Sequence, residues 1–248
     1  MHIIDTISYF CRQNKTTMSK KISMALGLFA LSFVLMFSSC DKDDDDFRSV
    51  STLANVMAVH ASPGSPDVDL YINDVLQNDT GLMFPSSSRY LQSITGLVNI
   101  KINKSGTAET IIDRDVTLNQ NGSYSIFVID TLPQLSSILT FDNLTEPILG
   151  KANIRLAHLT PDAPSIDVLD MSDSSVVFAN RSYKQISDFI PVDGGVYDFG
   201  VRALGDTNVI LLPSIQLMPG KIFTIYAKGL LSGTGSNAFG VEVIQNTP

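Results

Sequence analysis

The chain has 248 residues, 17 of them basic and 25 acidic, for a formal net charge of −8. Nothing in that balance supplies the basic face that a nucleic-acid backbone requires. Its two cysteines, Cys11 and Cys40, both lie in the first forty residues, so the body has no disulfide framework, no thiol catalysis and no thiolate metal site.

Met18-Ser19-Lys20-Lys21 is a short basic head, and Met24 to Phe37 is an unbroken run of fourteen apolar or small residues. A transmembrane helix needs about 20 residues, so the run reads as a secretory signal that is removed before folding. Ser38-Ser39 supply small residues for a signal peptidase and Cys40 follows at once. This pattern resembles the lipobox of bacterial lipoproteins, with Phe37 in place of the usual aliphatic residue. The resemblance implies cleavage before Cys40 and acylation, palmitate included, on that cysteine. Residues 1–17 precede a signal that is complete without them. They read as an over-extended start with Met18 the initiator, or as an unusually long head.

Removing residues 1–39 takes away four basic residues and one acidic, leaving 209 residues with 13 basic and 24 acidic, a net −11. Such a surface is repelled by anionic headgroups, so the expected hold on the membrane is the lipid, at about 0.8 kcal/mol per buried CH₂. Asp41-Lys42-Asp43-Asp44-Asp45-Asp46 follows the cysteine. It reads as a solvated, self-repelling tether. It also resembles the acidic export signal of Bacteroidetes-type lipoproteins, carried here by Asp43, Asp44, Asp45 and Asp46. That resemblance implies the outer membrane, facing the cell surface. As a calcium site the run lacks a turn to converge its oxygens.

Beyond the tether the chain repeats itself. Ala54 to Leu70 recurs 98 positions later as Ala152 to Val168; Gly96 to Ile102 matches Gly195 to Val201; Leu118, Tyr124, Ser125 and Ile126 match Leu217, Phe223, Thr224 and Ile225. Each unit reads as β. Val68, Leu70 and Ile72 alternate with polar neighbours, as do Val98, Ile100 and Ile102, the period of half-buried strands. Turn clusters such as Asn119-Gln120-Asn121-Gly122 and Asp193-Gly194-Gly195 separate the runs. The expectation is all-β: two tandem β-sandwich repeats over 51–146 and 147–248, after a leader (1–39) and a lipidated, acidic tether (40–50). The short bridge from Asn143 to Lys151 implies a fairly rigid tandem.

The strand, then His-x-Ser/Thr-Pro-x-x-Pro, then apolar-Asp-apolar pattern resembles domain-of-unknown-function family 4397, over about 54–145 and 152–244. The second unit carries Arg155, His158, Pro161, Asp162, Ala163 and Pro164 of that pattern; the first has Met57 for the arginine and Gly64-Ser65 for Asp-Ala. The resemblance implies immunoglobulin-like or transthyretin-like sandwiches and no agreed activity.

His60 beside Ser62, Asp67 and Asp69 invites a hydrolase reading. Against it, Ser62 becomes Thr160 and Asp67 becomes Ser165 in the second unit, and no Gly-x-Ser-x-Gly elbow is present. Parity points His60 and His158 inward with Val56, Ala58, Ile154 and Leu156, towards turn backbone, while Arg155, Asp69 and Asp167 point outward. One histidine per unit is a poor metal site, and no cofactor is expected. Pro63, Pro66, Pro161 and Pro164 stiffen the loops after both histidines. These loops, His60 and His158 included, are candidate contact surfaces, with Asp162 the foremost contact. Tyr71, Phe127 and Tyr226 face outward, and packing between units is the favoured role over stacking on sugars. The leading expectation is a non-enzymatic surface module for binding, adhesion or envelope assembly, its partner an envelope protein. An accessory glycan-binding lipoprotein of a polysaccharide-utilisation system is the alternative.

Overall fold

The computed structural model describes residues 53–248; Cys40 and Asp43–Asp46 lie outside the described residues. Nine strands form the first half: β1 (Leu53–His60), β2 (Val68–Ile72), β3 (Val75–Leu76), β4 (Ser86–Ser87), β5 (Leu91–Ile94), β6 (Gly96–Lys104), β7 (Thr110–Leu118), β8 (Ser123–Ile129) and β9 (Ser136–Phe141). Ten form the second: β10 (Lys151–His158), β11 (Ile166–Asp170), β12 (Ser175–Arg181), β13 (Ile190–Asp193), β14 (Gly195–Tyr197), β15 (Phe199–Ala203), β16 (Val209–Leu211), β17 (Ile215–Leu217), β18 (Ile222–Lys228) and β19 (Gly240–Gln245). A single 3₁₀ turn, Gly235–Asn237, is the only helical element among the described residues.

In the first half one sheet runs β4-β1-β8-β9, with β5 also on β1, and a second runs β3-β2-β6-β7. The alternating apolar residues of these strands, among them Val56, Leu70, Ile100, Ile102 and Ile126, fill the space between the two sheets. The second half repeats the plan as β13-β10-β18-β19 over β12-β11-β15-β16, with β14-β17 as a separate pair. Ile154, Val168, Phe199 and Ile225 lie in its core. Even the register repeats. Asn55 pairs with Ser123 in the parallel β1·β8 ladder and Asn153 with Ile222 in β10·β18. Asp69 sits opposite Asn103, and Asp167 opposite Arg202.

A third apolar cluster joins the halves. Met57, Val59, Phe127 and Ile129 from the first pack with Ala157, Leu159, Tyr226 and Ile244 from the second. The two large sheets therefore bury both faces, and all seven residues of β8 are buried. This corrects the placement of Arg155. Parity sets it outward, but that face is the contact between halves, and Arg155 is 1% exposed. Phe127 and Tyr226 lie in the same contact; Tyr71, on the far sheet, does not.

Candidate functional site

The contact between halves holds a closed polar network. Arg155 Nη1 lies 2.7 Å from Asp142 Oδ1, Nη2 donates to Ser125 Oγ at 3.2 Å and Nε donates to Thr224 Oγ1 at 2.8 Å. Ser125 Oγ and Tyr90 Oη each donate to Asp142 Oδ2 at 2.6 Å. Thr224 donates to Asn246 Oδ1 at 2.7 Å, and Asn246 Nδ2 donates to Tyr90 Oη at 2.9 Å. The Phe189 ring lies 4.6 Å from the guanidinium carbon and Phe127 5.9 Å. Burial and the Asp142 carboxylate together raise the Tyr90 hydroxyl well above its ordinary pKa.

These residues occupy matched positions in the two halves. Arg155 corresponds to Met57, Ser125 to Thr224, and Tyr90 to Phe189, because β1 and β10 pair identically with their neighbours. Asp142 and Asn246 each follow the edge strand and donate a backbone N–H to the start of the central parallel strand, at Ser123 O and Ile222 O. One half thus carries the anion and the other the cation, and the mirror position of each, Asn246 and Met57, is neutral. Sequence reasoning missed Tyr90, Asp142 and Asn246, which flank strands rather than lie within them.

At the C-terminal ends of β1, β8, β10 and β18 five loops meet. Gly64 N donates to Asn237 Oδ1 across the halves at 3.0 Å. Asp162, in the matching loop of the second half, accepts from Leu231 N at 2.8 Å and from Ser232 N and Oγ at 3.2 and 3.1 Å. The loop 229–239 is therefore tied to both proline loops. Asp130, after β8, accepts from Tyr183 Oη at 2.7 Å and from Lys184 Nζ at 2.9 Å, while Lys184 N donates to His158 O. Asp130 adopts φ 65°, and its counterpart Gly229 φ 80°. A Cβ on Gly229 would meet Ala238 O at 2.2 Å, so glycine is required there.

The histidines build this end rather than face solvent; both are fully buried. His60 Nε2 lies 3.0 Å from Pro66 O, and His158 Nε2 lies 3.0 Å from Pro164 O. A carbonyl only accepts, so Nε2 carries the hydrogen and Nδ1 accepts from Ser62 N and Thr160 N. Desolvation lowers the pKa of both, against the opposing pull of the proline carbonyls, and both are held neutral. The hydroxyls nearest His60 are engaged with backbone carbonyls. Ser62 Oγ donates to Asp130 O at 2.6 Å. Ser65 Oγ, 3.2 Å from His60 Nε2, gives its own hydrogen to Ser62 O. Asp69 is bound by Asn78 and by Gly106 N.

Among the expected contact residues, Pro63 is buried, Pro66 and Pro161 are half-buried, and Asp162 and Pro164 are exposed. The Asp162 carboxylate, though exposed, already accepts hydrogen bonds from the neighbouring loop. Desolvation pushes its pKa up, but the Leu231 and Ser232 donors outweigh it and hold the carboxyl below the ordinary value. Asp162 is thus a clamp between loops. Leu231 and Ser232, which hold it, are exposed as well, as are Gly64, Asp67 and Leu132 in the other loops of this end.

Residues 54–169, from β1 into β11, match the family model described as Domain of unknown function (DUF4397). The match is single. No curated protein matches the chain. Among solved structures, a family 26 carbohydrate-binding module of Eubacterium rectale Amy13K, in complex with maltoheptaose, is 12% identical with a TM-score of 0.24. It covers 78% of this chain and 98% of its own. A candidate cell adhesion protein from Bacteroides eggerthii is 7% identical with a TM-score of 0.23, over 79% and 95%. Overlaps this weak carry no conclusion about fold or activity.

Proposed function

We propose that the chain is a non-enzymatic binding module. It is a lipoprotein anchored through Cys40 and displayed from the outer membrane, and it acts in adhesion or envelope assembly through the loop end shared by its halves. In this reading 51–146 and 147–248 are two immunoglobulin- or transthyretin-like sandwich domains, both copies of the unknown-function family, and Asp43–Asp46 direct export. The observation that carries the reading is the tying of both proline loops to the loop 229–239 at a single end, through Gly64–Asn237 and Asp162–Leu231, with Asp130–Tyr183 joining the halves beside them. Recognition surfaces are commonly loops held by a rigid scaffold. β1 begins at Leu53, at the opposite end, and eight extended residues span about 26 Å. A tether entering there leaves the loops pointing away from the membrane.

The test is site-specific photo-crosslinking on intact cells from Gly64 and from Leu231, with Asp113 on the far sheet as the control. The reading predicts one envelope component captured from both loop positions and not from Asp113. Capture from Asp113 alone would refute it. The accessory glycan-binding alternative draws on a different surface, the polar cleft beside Tyr71.

A further inference from the structure

On the outward face of the β3-β2-β6-β7 sheet lies an open cleft of about 540 Å³, lined by Tyr71, Asp74, Lys101, Asn103, Thr107 and Thr110 among others. This is within the roughly 300–1,000 Å³ of small-molecule sites. The β6–β7 hairpin makes one wall by bending back over the sheet, held by the 2.9 Å bond from Gly106 N to Asp69 Oδ2. Tyr71, half-buried, presents its ring beside Lys101, its partner across the ladder. Lys101 is paired with Asp74.

Within the lining of this cleft, Asn103 is the anomaly. It is 9% exposed, and its Oδ1 is buried without a hydrogen-bond partner among the described residues. A buried acceptor left unpaired destabilises a fold. In the second half the same position is Arg202, which donates to Asp167 Oδ2 at 2.8 Å. There Leu169 replaces Tyr71 as well. The first half has therefore exchanged an ion pair, in which Arg202 Nε is itself left unpaired, and an aliphatic side chain for an amide with an orphaned Oδ1 and an aromatic ring, both lining the cleft.

We infer that this cleft binds a short neutral oligosaccharide. The C–H face of a sugar ring lies on Tyr71, and its hydroxyls satisfy the Asn103 amide, Thr110 and the exposed polar atoms of the Lys101–Asp74 pair. An aromatic ring with amides and a neutralised ion pair suits a ligand rich in hydroxyls and apolar on one face. Asp74, Asp113 and Asp115 outnumber Lys101 on this face, so acidic saccharides are repelled. The site deepens the glycan-binding reading, rests on it, and is independent of the apical loops.

The test is calorimetric titration of the full chain with neutral gluco-, manno- and xylo-oligosaccharides at millimolar concentration, beside an acidic oligogalacturonate. At least one neutral series binds. Tyr71→Leu and Asn103→Val, which keep the sheet's bulk, each weaken it by about tenfold or more. The thermal midpoint of Asn103→Val stays level or rises, the mark of a residue kept for a ligand rather than for the fold. If no neutral saccharide binds, the glycan reading and the site fail together. If one binds equally well to both variants, the reading stands and the site is lost. Tighter binding of the acidic series overturns the ligand class, and a falling Asn103→Val midpoint assigns Asn103 to the fold.

Discussion

Arg155 and Asp142 meet at 2.7 Å with side-chain exposures of 1% and 0%, and they belong to opposite halves of the molecule. Removing one partner of a buried pair leaves the other charged and unsolvated, at about 3–5 kcal/mol. Replacing both with neutral residues removes that penalty. Asp142→Asn or Arg155→Met alone is therefore expected to destabilise by about that amount, and the double variant by much less. Chemical denaturation of the four proteins in a double-mutant cycle measures this; additive losses would show that the pair is uncoupled.

The matched positions support a sharper expectation. Arg155 has Met57 as its counterpart and Asp142 has Asn246, so the pair can be transposed. A quadruple variant, Met57→Arg, Asn246→Asp, Arg155→Met and Asp142→Asn, places cation and anion at the mirror positions beside Ser125 and Thr224. It should be more stable than the variant carrying only Met57→Arg and Arg155→Met, in which the transposed guanidinium would face the neutral Asn246. Equal midpoints for the two in thermal melts would show that the network lacks the pseudo-symmetry its pairings describe.

Much of the sheet plan was legible because alternation at Val98, Ile100 and Ile102 reports which side of a strand meets the core. The 98- and 99-residue offsets reappear as ladder register at Asn55 and Asn153. Parity cannot say whether the other side meets water. For β8 a signal was present: Tyr124, Ile126 and Val128 interleave with Phe127 and Ile129, and such a run is apolar on both faces. For Arg155 no local signal existed, since its partners Asp142, Ser125 and Thr224 lie on other strands or beyond their ends. The Asp162 clamp was illegible for the same reason. Its donors at Leu231 and Ser232 lie in a loop with no counterpart motif in the first half, where β8 and β9 are joined by a shorter turn.

His60 and His158 set the response to acid. Burial depresses both pKa values in the folded chain, so the unfolded chain, titrating near 6.5, binds protons first. Their contribution is complete above that pH and is lost as pH falls through it towards the depressed folded values. The thermal midpoint should fall between about pH 6.5 and 5, before the surface carboxylates titrate. His60→Gln with His158→Gln should flatten that slope even if the midpoint is lower throughout. An unchanged slope would place the acid sensitivity elsewhere.

Asp162 should act locally. Its carboxylate accepts from Leu231 N and Ser232 N at the molecule's loop end, not from the cores. Asp162→Ala should speed hydrogen exchange at those two amides by roughly tenfold or more while leaving β10 and β18 protected. The global midpoint should hardly move. A lowered global midpoint with unaltered exchange at Leu231 would contradict the clamp.

Cys40 carries the expectation about place. The cores of the folded halves lie in three buried apolar clusters, and no helix among the described residues is long and apolar enough to cross a membrane. The net charge of residues 40–248 is −11, which opposes binding to anionic headgroups. In the proposed reading attachment rests on acyl chains at Cys40, and two or more are needed for a stable hold. Cys40→Ser should leave the thermal midpoint unchanged and move the protein from the carbonate-washed membrane fraction into the soluble one. Retention of the variant on washed membranes would mean that some other part of the chain holds it there.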